Sequence, residues 1–491
     1  MPAKPIYKSA SLCSLNRRKF LYKSSASVAA LLLPSIDTYA ANDLTGRLAT
    51  YMASARNLEL PPNVLQDAKF RILDTFAAMI SGSKLTPGEM ATRFARTQGG
   101  TPEASILASN IKTTAINAAM INAMLAHSDE SDDFEPVTKA HPGSATVPAA
   151  LAFAQKERRS GTDLIRGVAL GYDVGCRFLM ALGPDHVRGT HRGAEAYNAT
   201  MGAMASAASL AHLTEQQMRY AISYGAQQVS GLWSWVDDHD HIEKSFDFSG
   251  MGARNGATAV AMVQQGLTGV KDVLDGKHNL IIALSTQPNP EALVADLGSR
   301  FFITESSIKT FPVGYPNQAP LDAFLKLYRT NNITPDKVSK IVVRLPEDAI
   351  GIVGRSPMPD VNCPYLISTA LLEGTISFAN AHSQERMKDP AVRAQMEKVT
   401  VIGDPALNDP LAPRGGIVEV YLTDGTVLKQ HTRFPPGTKE NPLSAETVSA
   451  KARDLMGPVL GKNKTETVIA QLLELEKVKD MNQLVALMIT K

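Results

Sequence analysis

The chain has 491 residues, of which 44% are hydrophobic and 20% charged. That length supports more than one domain and a large core, and the composition excludes a disordered or fibrous chain. The net charge of +2 is unevenly spread: Lys4, Lys8, Arg17, Arg18, Lys19 and Lys23 face only Asp37 in the first forty residues, which leaves 44 bases against 47 acids in the body. A weakly acidic body offers no electrostatic footprint for nucleic acid.

The first forty residues read as a targeting segment. The basic stretch Asn16–Lys23 is followed by SSASVAALLLPSI and the small-residue site Thr38-Tyr39-Ala40. A basic region, a short apolar region and a cleavage site make a signal peptide, too short to span a bilayer. Arg17-Arg18 before Phe20-Leu21 resembles a twin-arginine signal. The expectation is cleavage near Ala40, export by the twin-arginine machinery and a periplasmic mature protein. Of three cysteines, Cys13 leaves with this segment. Cys176 and Cys363 alone are too few for a cubane iron–sulfur cluster.

After residue 40 the apolar positions recur at helical spacing. Helices are expected over 41–60, 64–80, from Pro87 through Phe94, over 113–126 and over 145–156. Further helices are expected from a Thr162-Asp163 cap to Phe178, over 194–213, from a Thr214–Gln217 capping box to Val229, and over 256–265. Gly167, Gly171 and Gly175 recur every fourth residue, a pattern for close helix packing. No strand is evident before residue 290. Beyond it the pattern changes. Helices are read at 320–328, at Thr334-Pro335 and at 365–379, and strands at 340–345 and 398–402. Residues 417–422 and 426–432 flank Asp424-Gly425, a hairpin turn dipeptide. Residues 444–456 and 465–488 return to helix. No run is long enough for a membrane span.

The fold class expected is mainly α with an α+β lid domain. The boundaries are a signal peptide at 1–40, a helical domain at 41–300, a lid at 301–440 and the helical domain's C-terminal part at 441–491.

Four polar clusters carry candidate chemistry. The first is HSDESDDFEPVTKAHPGSATVPAA (127–150), which places carboxylates and two histidines at a corner between helices. Its plain alternative is a solvated acidic loop. The second, Val187–Gly193, offers Arg188, His191 and Arg192 beside glycines, a setting for a carboxylate ligand. The third holds Asp237, His239 and His241 and ends at Lys244. Alternation there allows His239 and His241 to face one metal, although no H-E-x-x-H motif supports it. The fourth is Ile308–Pro316. Histidines, carboxylates and lysines without a nucleotide loop or nucleophile elbow fit proton transfer beside a carboxylate.

These segments resemble the MmgE/PrpD family, which includes 2-methylcitrate dehydratase, cis-aconitate decarboxylase and iminodisuccinate epimerase. The resemblance rests on LDTFAAMISG (73–82), INAMLAHSDESDDFEPVTKAHPGSATVPAALAFA (121–154), GVALGYDVGCRF (167–178), EKSFDFSGMGARNGATAV (243–260), IKTFPVGYPNQAPLDAFLKL (308–327) and the DGT hairpin with FPPGTKENPLS (434–444). It implies a homodimer and a lyase or isomerase that, with no cofactor, dehydrates, decarboxylates or epimerises a small di- or tricarboxylate. It also implies a site at the junction of the two domains. His141, His191, Lys244, Lys309, Asp132 and Asp133 match the family's catalytic positions. Glu130, Phe134, Arg188, Arg192 and Tyr315 are the expected substrate contacts. Glu130 stands where decarboxylase members have Asp, and Phe134 where they have Thr. Gly314 replaces a lid histidine, which motivates an alternative, a carboxylate-binding protein without turnover. The loop before His141 and the stretch 244–250 each carry one additional residue. A metal-dependent hydrolase on Asp237, His239 and His241 is the third reading.

Overall fold

The computed structural model describes residues 43–490. The expected leader, its twin-arginine pair and its cleavage point near Ala40 lie outside the described residues. The fold is mainly α, with a small α+β part. The N-terminal helices are α1 (Leu44–Ala55), α2 (Pro62–Gly82) and α3 (Thr86–Gln98), followed by α4 (Ala115–Ala126), α5 (Pro142–Lys156) and α6 (Gly161–Leu182). Three more long helices follow: α7 (Ala194–Leu210), α8 (Glu215–Ala226) and α9 (Met251–Gln264). Several starts have a local cause. Pro62 and Pro142 occupy first-turn positions where a missing N–H costs nothing. Thr214 and Gln217 form the expected capping box of α8. The cap of α6 is Ser160 rather than Thr162, because the Asp163 carboxylate reaches back to the Ser160 amide at 3.0 Å.

Every residue of α7 is buried. The helix is built of small side chains, so its neighbours approach on all sides. Gly167, Gly171 and Gly175 of α6 all face it. A Cβ at Gly171 would lie 2.7 Å from the Gly202 carbonyl, and one at Gly175 would lie 2.8 Å from that of Asn198. Backbone cannot yield as a side-chain tip does, so the four-residue glycine repeat is a packing requirement of this helix pair.

Two strands escape the helical pattern. β1 (Ala104–Ser105) pairs with β2 (Lys112–Thr113) in a two-residue ladder, too short for any periodicity to show. The second core belongs to the lid. Helices α10 (Gln318–Asn331) and α11 (Cys363–Glu373) accompany β3 (Val338–Leu345), β4 (Val399–Gly403), β5 (Gly416–Leu422) and β6 (Val427–Thr432). The sheet order is β4-β3-β5-β6, with β3 and β4 parallel and the other pairs antiparallel. Gly425 takes φ 89° at the β5–β6 turn, a conformation glycine adopts freely. Thr334-Pro335 is a turn leading straight into β3 rather than a helix. The segment after α12 (Ala445–Leu460) and α13 (Lys462–Leu473) is broken as well. Asp480 caps a new short helix, while Gly161 N donates to Val478 O at 2.9 Å and Met481 N to Arg159 O at 2.9 Å. Docking onto the start of α6 overrides the amphipathic pattern.

One hydrophobic cluster draws on residues 44–308 and 443–489, with Phe378 packed against it, and the other on 311–428. Both chain ends therefore share a core. Among the described residues no helix is long and apolar enough to cross a membrane.

The helical core buries carboxylates, and this generates a pH dependence. Asp173 accepts from the Tyr51 hydroxyl and from Phe302 N, each at 2.7 Å. Burial pushes its carboxyl up to about 6. The folded state then holds a proton that the unfolded state releases near pH 4, so stability falls as pH rises from about 4 to 6. Asp173→Asn keeps a neutral acceptor and is expected to remove this share, about 2 kcal/mol. Urea unfolding at pH 4.5 and 7 checks it: the stability difference between the two pH values shrinks in the variant, and an unchanged difference contradicts the assignment.

Candidate functional site

The segment between α4 and α5 is buried, not a solvated acidic loop. Asp129, Glu130, Asp132, Asp133 and Glu135 are each no more than 3% exposed. Buried carboxylates need cations or hydrogen-bond donors. Lys309, itself fully buried, donates to the Glu130 carbonyl at 2.7 Å and to its Oε2 at 3.2 Å, and lies 3.5 Å from Asp132 Oδ1. Lys244 donates to Glu130 Oε1. Burial alone would raise the Glu130 carboxyl, but Lys244 and Lys309 together hold it well below its usual range. Asp132 follows the same logic. Burial raises it, yet His127, His141 and Lys309 outweigh that and leave it strongly acidic.

One oxygen of Asp132 faces two imidazoles, hydrogen-bonding His127 and lying in ion-pair range of His141, whose buried Nδ1 has no hydrogen-bond partner among the described residues. His127 Nδ1 lies 2.8 Å and His141 Nδ1 3.2 Å from Asp132 Oδ2. His127 is sealed behind the site and stacks on Phe248 at 4.6 Å. His141 reaches the cleft wall. His241 donates from Nε2 to the His127 carbonyl at 2.8 Å, and burial, then Lys244, press its pKa well below the ordinary value. Asp133 turns the other way. It accepts from Gly143 N at 2.9 Å, fastening the first turn of α5, and burial pushes it up to about 6.

The cleft lies between this corner and the lid and measures about 250 Å³. Its walls include Glu130, Phe134, His141, Arg188, Lys244 and Tyr315 from the expected set. Phe134 stacks on Tyr315 at 4.0 Å, and burial raises the Tyr315 hydroxyl to about 12. Arg188 donates to the Thr138 carbonyl at 2.9 Å and to Glu195 at 2.8 Å. Gly314 also lines the cleft.

Several expected residues are not brought there. His191, at φ 61°, is exposed and lies outside the cleft wall. Its carbonyl accepts from Trp233 N at 3.0 Å, so its contribution is to hold a wall residue. Arg192 ties its own loop to the Leu284 carbonyl at 2.8 Å. Asp132, Asp133 and Lys309 stand behind the wall rather than in it. Asp237 and His239 are exposed while His241 is buried, so the proposed metal set is not assembled.

The corner itself offers other ligand sets. His127, Glu130 and His241, and likewise His127, Asp132 and His141, present atoms within 4.8 Å of one another. Both carboxylates already face ammonium groups, and His241 Nε2 is turned to a carbonyl. A divalent cation would sit against Lys309, so these sets suit the lysines better than a metal.

Sequence reasoning missed the aromatic wall. Trp233 and Trp235 come from a single 3-10 turn (Trp233–Asp237), and Phe248 from a π turn (Phe246–Gly250). Neither has a periodic signature. The additional residue read in 244–250 is a usable signal, since a π turn holds one extra residue without shifting the helix that follows. His382 was missed too: its Nε2 lies 2.7 Å from the Asp129 carbonyl, linking the lid to the corner.

With the geometry in place, comparison with known proteins gives a consistent result. Residues 46–293 match the MmgE/PrpD N-terminal domain and residues 311–475 the MmgE/PrpD C-terminal domain. A cis-aconitate decarboxylase-like protein of Aspergillus oryzae is 23% identical over 483 residues, covering 92% of this chain and 98% of its own. A cis-aconitate decarboxylase of Aspergillus terreus is 24% identical, covering 92% and 97%. The Homo sapiens cis-aconitate decarboxylase is 24% identical over 471 residues, covering 91% and 94%. Matches to both domains, in order and over most of the chain, show that this protein belongs to the MmgE/PrpD family.

Proposed function

We propose that the protein is a lyase that performs cofactor-free acid–base chemistry on a small carboxylic acid. The observation that carries this reading is His141. Among the described residues lining the cleft it is the only histidine, and it is backed by an ionised Asp132. Dehydration, decarboxylation and epimerisation share a carbanion or enolate beside a carboxylate. That intermediate needs a base or acid at the reacting carbon and positive charge at the oxygens. In this reading His141 moves the proton and Asp132 orients its ring. Lys244 and Arg188 face the developing negative charge. Lys309 acts from behind by keeping Glu130 and Asp132 ionised. The names of the relatives support a decarboxylase-type lyase.

A screen of carboxylic acids for loss of carbon dioxide or water tests the reading. His141→Ala is expected to lower kcat at least about 100-fold while leaving Kd within about threefold, the mark of a proton-transfer group. Saturable binding with no turnover of any acid by the wild type would instead favour the carboxylate-binding alternative.

The reading also includes twin-arginine export, a periplasmic location and a homodimer. Arg17-Arg18, Phe20-Leu21 and the apolar run before Ala40 support the export route. Changing both arginines to lysine is expected to leave the full chain in the cytoplasmic fraction, and unchanged periplasmic recovery would overturn the route.

A further inference from the structure

The charge of the cleft and the make-up of its apolar wall narrow the substrate further. The wall carries four cations, Lys139, Arg188, Lys244 and Arg414, and three carboxylates, Glu130, Glu195 and Asp348. Every carboxylate is engaged. Glu130 holds Lys244, Glu195 holds Arg188 at 2.8 Å, and Asp348 holds Lys139 at 3.0 Å and Arg414 at 2.8 Å. One net positive charge is left for a ligand. Behind the wall, Lys309 against Asp132 adds no surplus. Arg188 Nη1 is buried and, like Trp235 Nε1, has no acceptor among the described residues; it is the charged donor of the two. A tricarboxylate would bring three negative charges to a cleft that balances one. The other two would need existing ion pairs to break: opening those at Glu130 or Glu195 strands a buried carboxylate, while Asp348, 48% exposed, would be left to solvent.

The rest of the wall is apolar and largely aromatic. Phe134 and Tyr315 are stacked, and Trp235 meets Phe248 edge-on at 4.8 Å. Ile352 and Val361 close the lid side. Gly314 leaves further room there, since a Cβ placed on it would meet nothing nearer than 3.7 Å. The volume, about 250 Å³, lies below the roughly 300–1,000 Å³ of sites for drug-sized ligands.

We propose that the substrate is an amphipathic monocarboxylic acid. Its single carboxylate is held by Arg188 and Lys244, and its flat apolar arm, of the size of one aromatic ring, lies against Phe134, Tyr315, Phe248 and Trp235. This rests on the lyase reading of the same cleft. Phe134 is then a specificity-determining residue: it supplies a ring face where a smaller side chain would leave space for further polar groups.

The protein carries its own reporter. Its two tryptophans, Trp233 and Trp235, both line the cleft. Tryptophan emission of the intact protein is titrated with 3-phenylpropanoate, citrate and cis-aconitate at one ionic strength. The expected result is saturable binding of 3-phenylpropanoate with a Kd at least tenfold below those of both polycarboxylates. Phe134→Thr is expected to weaken 3-phenylpropanoate at least fivefold, and Phe134→Leu, which keeps bulk but not the ring face, at least twofold. Equal or tighter binding of citrate or cis-aconitate overturns the proposal, as does no saturable response to 3-phenylpropanoate. Unchanged affinity in both Phe134 variants removes the role of that residue and with it the aromatic arm. The two readings fail separately. His141-dependent turnover of a tricarboxylate leaves the lyase intact and sinks this proposal. The expected binding order with no turnover of any aromatic acid sinks the lyase instead.

Discussion

Lys309 is the constraint on which the rest depends. An ammonium with no exposed surface must have anions and carbonyls around it, or its burial is prohibitive. Here it has Glu130, through carbonyl and carboxylate, and Asp132. The arrangement works in both directions. The lysine stays charged because Glu130 and Asp132 outweigh its burial, and the carboxylates stay ionised because it is there. It also fixes geometry, because Lys309 follows the antiparallel bridge of Ser307 to Phe134. The chain that leads into the lid is thereby fastened to the corner that carries the imidazoles.

The cleft inherits its properties from that contact. Asp132, kept ionised, hydrogen-bonds His127 and sits 3.2 Å from His141 Nδ1, and of the two rings only His141 reaches the cleft. Glu130 is held in a left-handed conformation, φ 54°, at which a non-glycine residue is strained. Its two lysines and backbone contacts hold it there. Lys244, the second of those lysines, sits over the rings of Trp235 and Phe248 at 5.2 and 5.0 Å. The polar and aromatic walls therefore meet at one side chain. A site built this way carries little uncommitted charge, which separates it from an open anion-binding pocket lined with free arginines.

Much of the scaffold was legible in the sequence for physical reasons that act locally. Capping residues and prolines mark helix starts, the Gly167–Gly175 repeat marks a close helix pair, and Asp424-Gly425 marks a hairpin. The corner from His127 to His141 was legible because such a density of charge between apolar helices is unusual. What escaped depends on direction rather than identity. His191 and His141 look alike in sequence, but one follows a left-handed turn into solvent and the other precedes a proline-started helix that faces the cleft. His239 and His241, two residues apart, also part company, but here the left-handed residue, His241, is the buried one. Trp233, Trp235 and Phe248 come from a 3-10 and a π turn, where neither the helical nor the strand period applies. His127 was visible, but nothing in its spacing shows that it shares Asp132 with His141.

The most direct measurement is a double-mutant cycle on Lys309 and Glu130 by equilibrium unfolding. Lys309→Met alone strands buried carboxylates and is predicted to cost about 3–5 kcal/mol. Combining it with Glu130→Gln removes much of that stranded charge, so the double variant is predicted to be more stable than the two single costs imply, with a coupling of at least about 2 kcal/mol. Additive costs, or a Lys309→Met protein that unfolds like the wild type, would contradict the account.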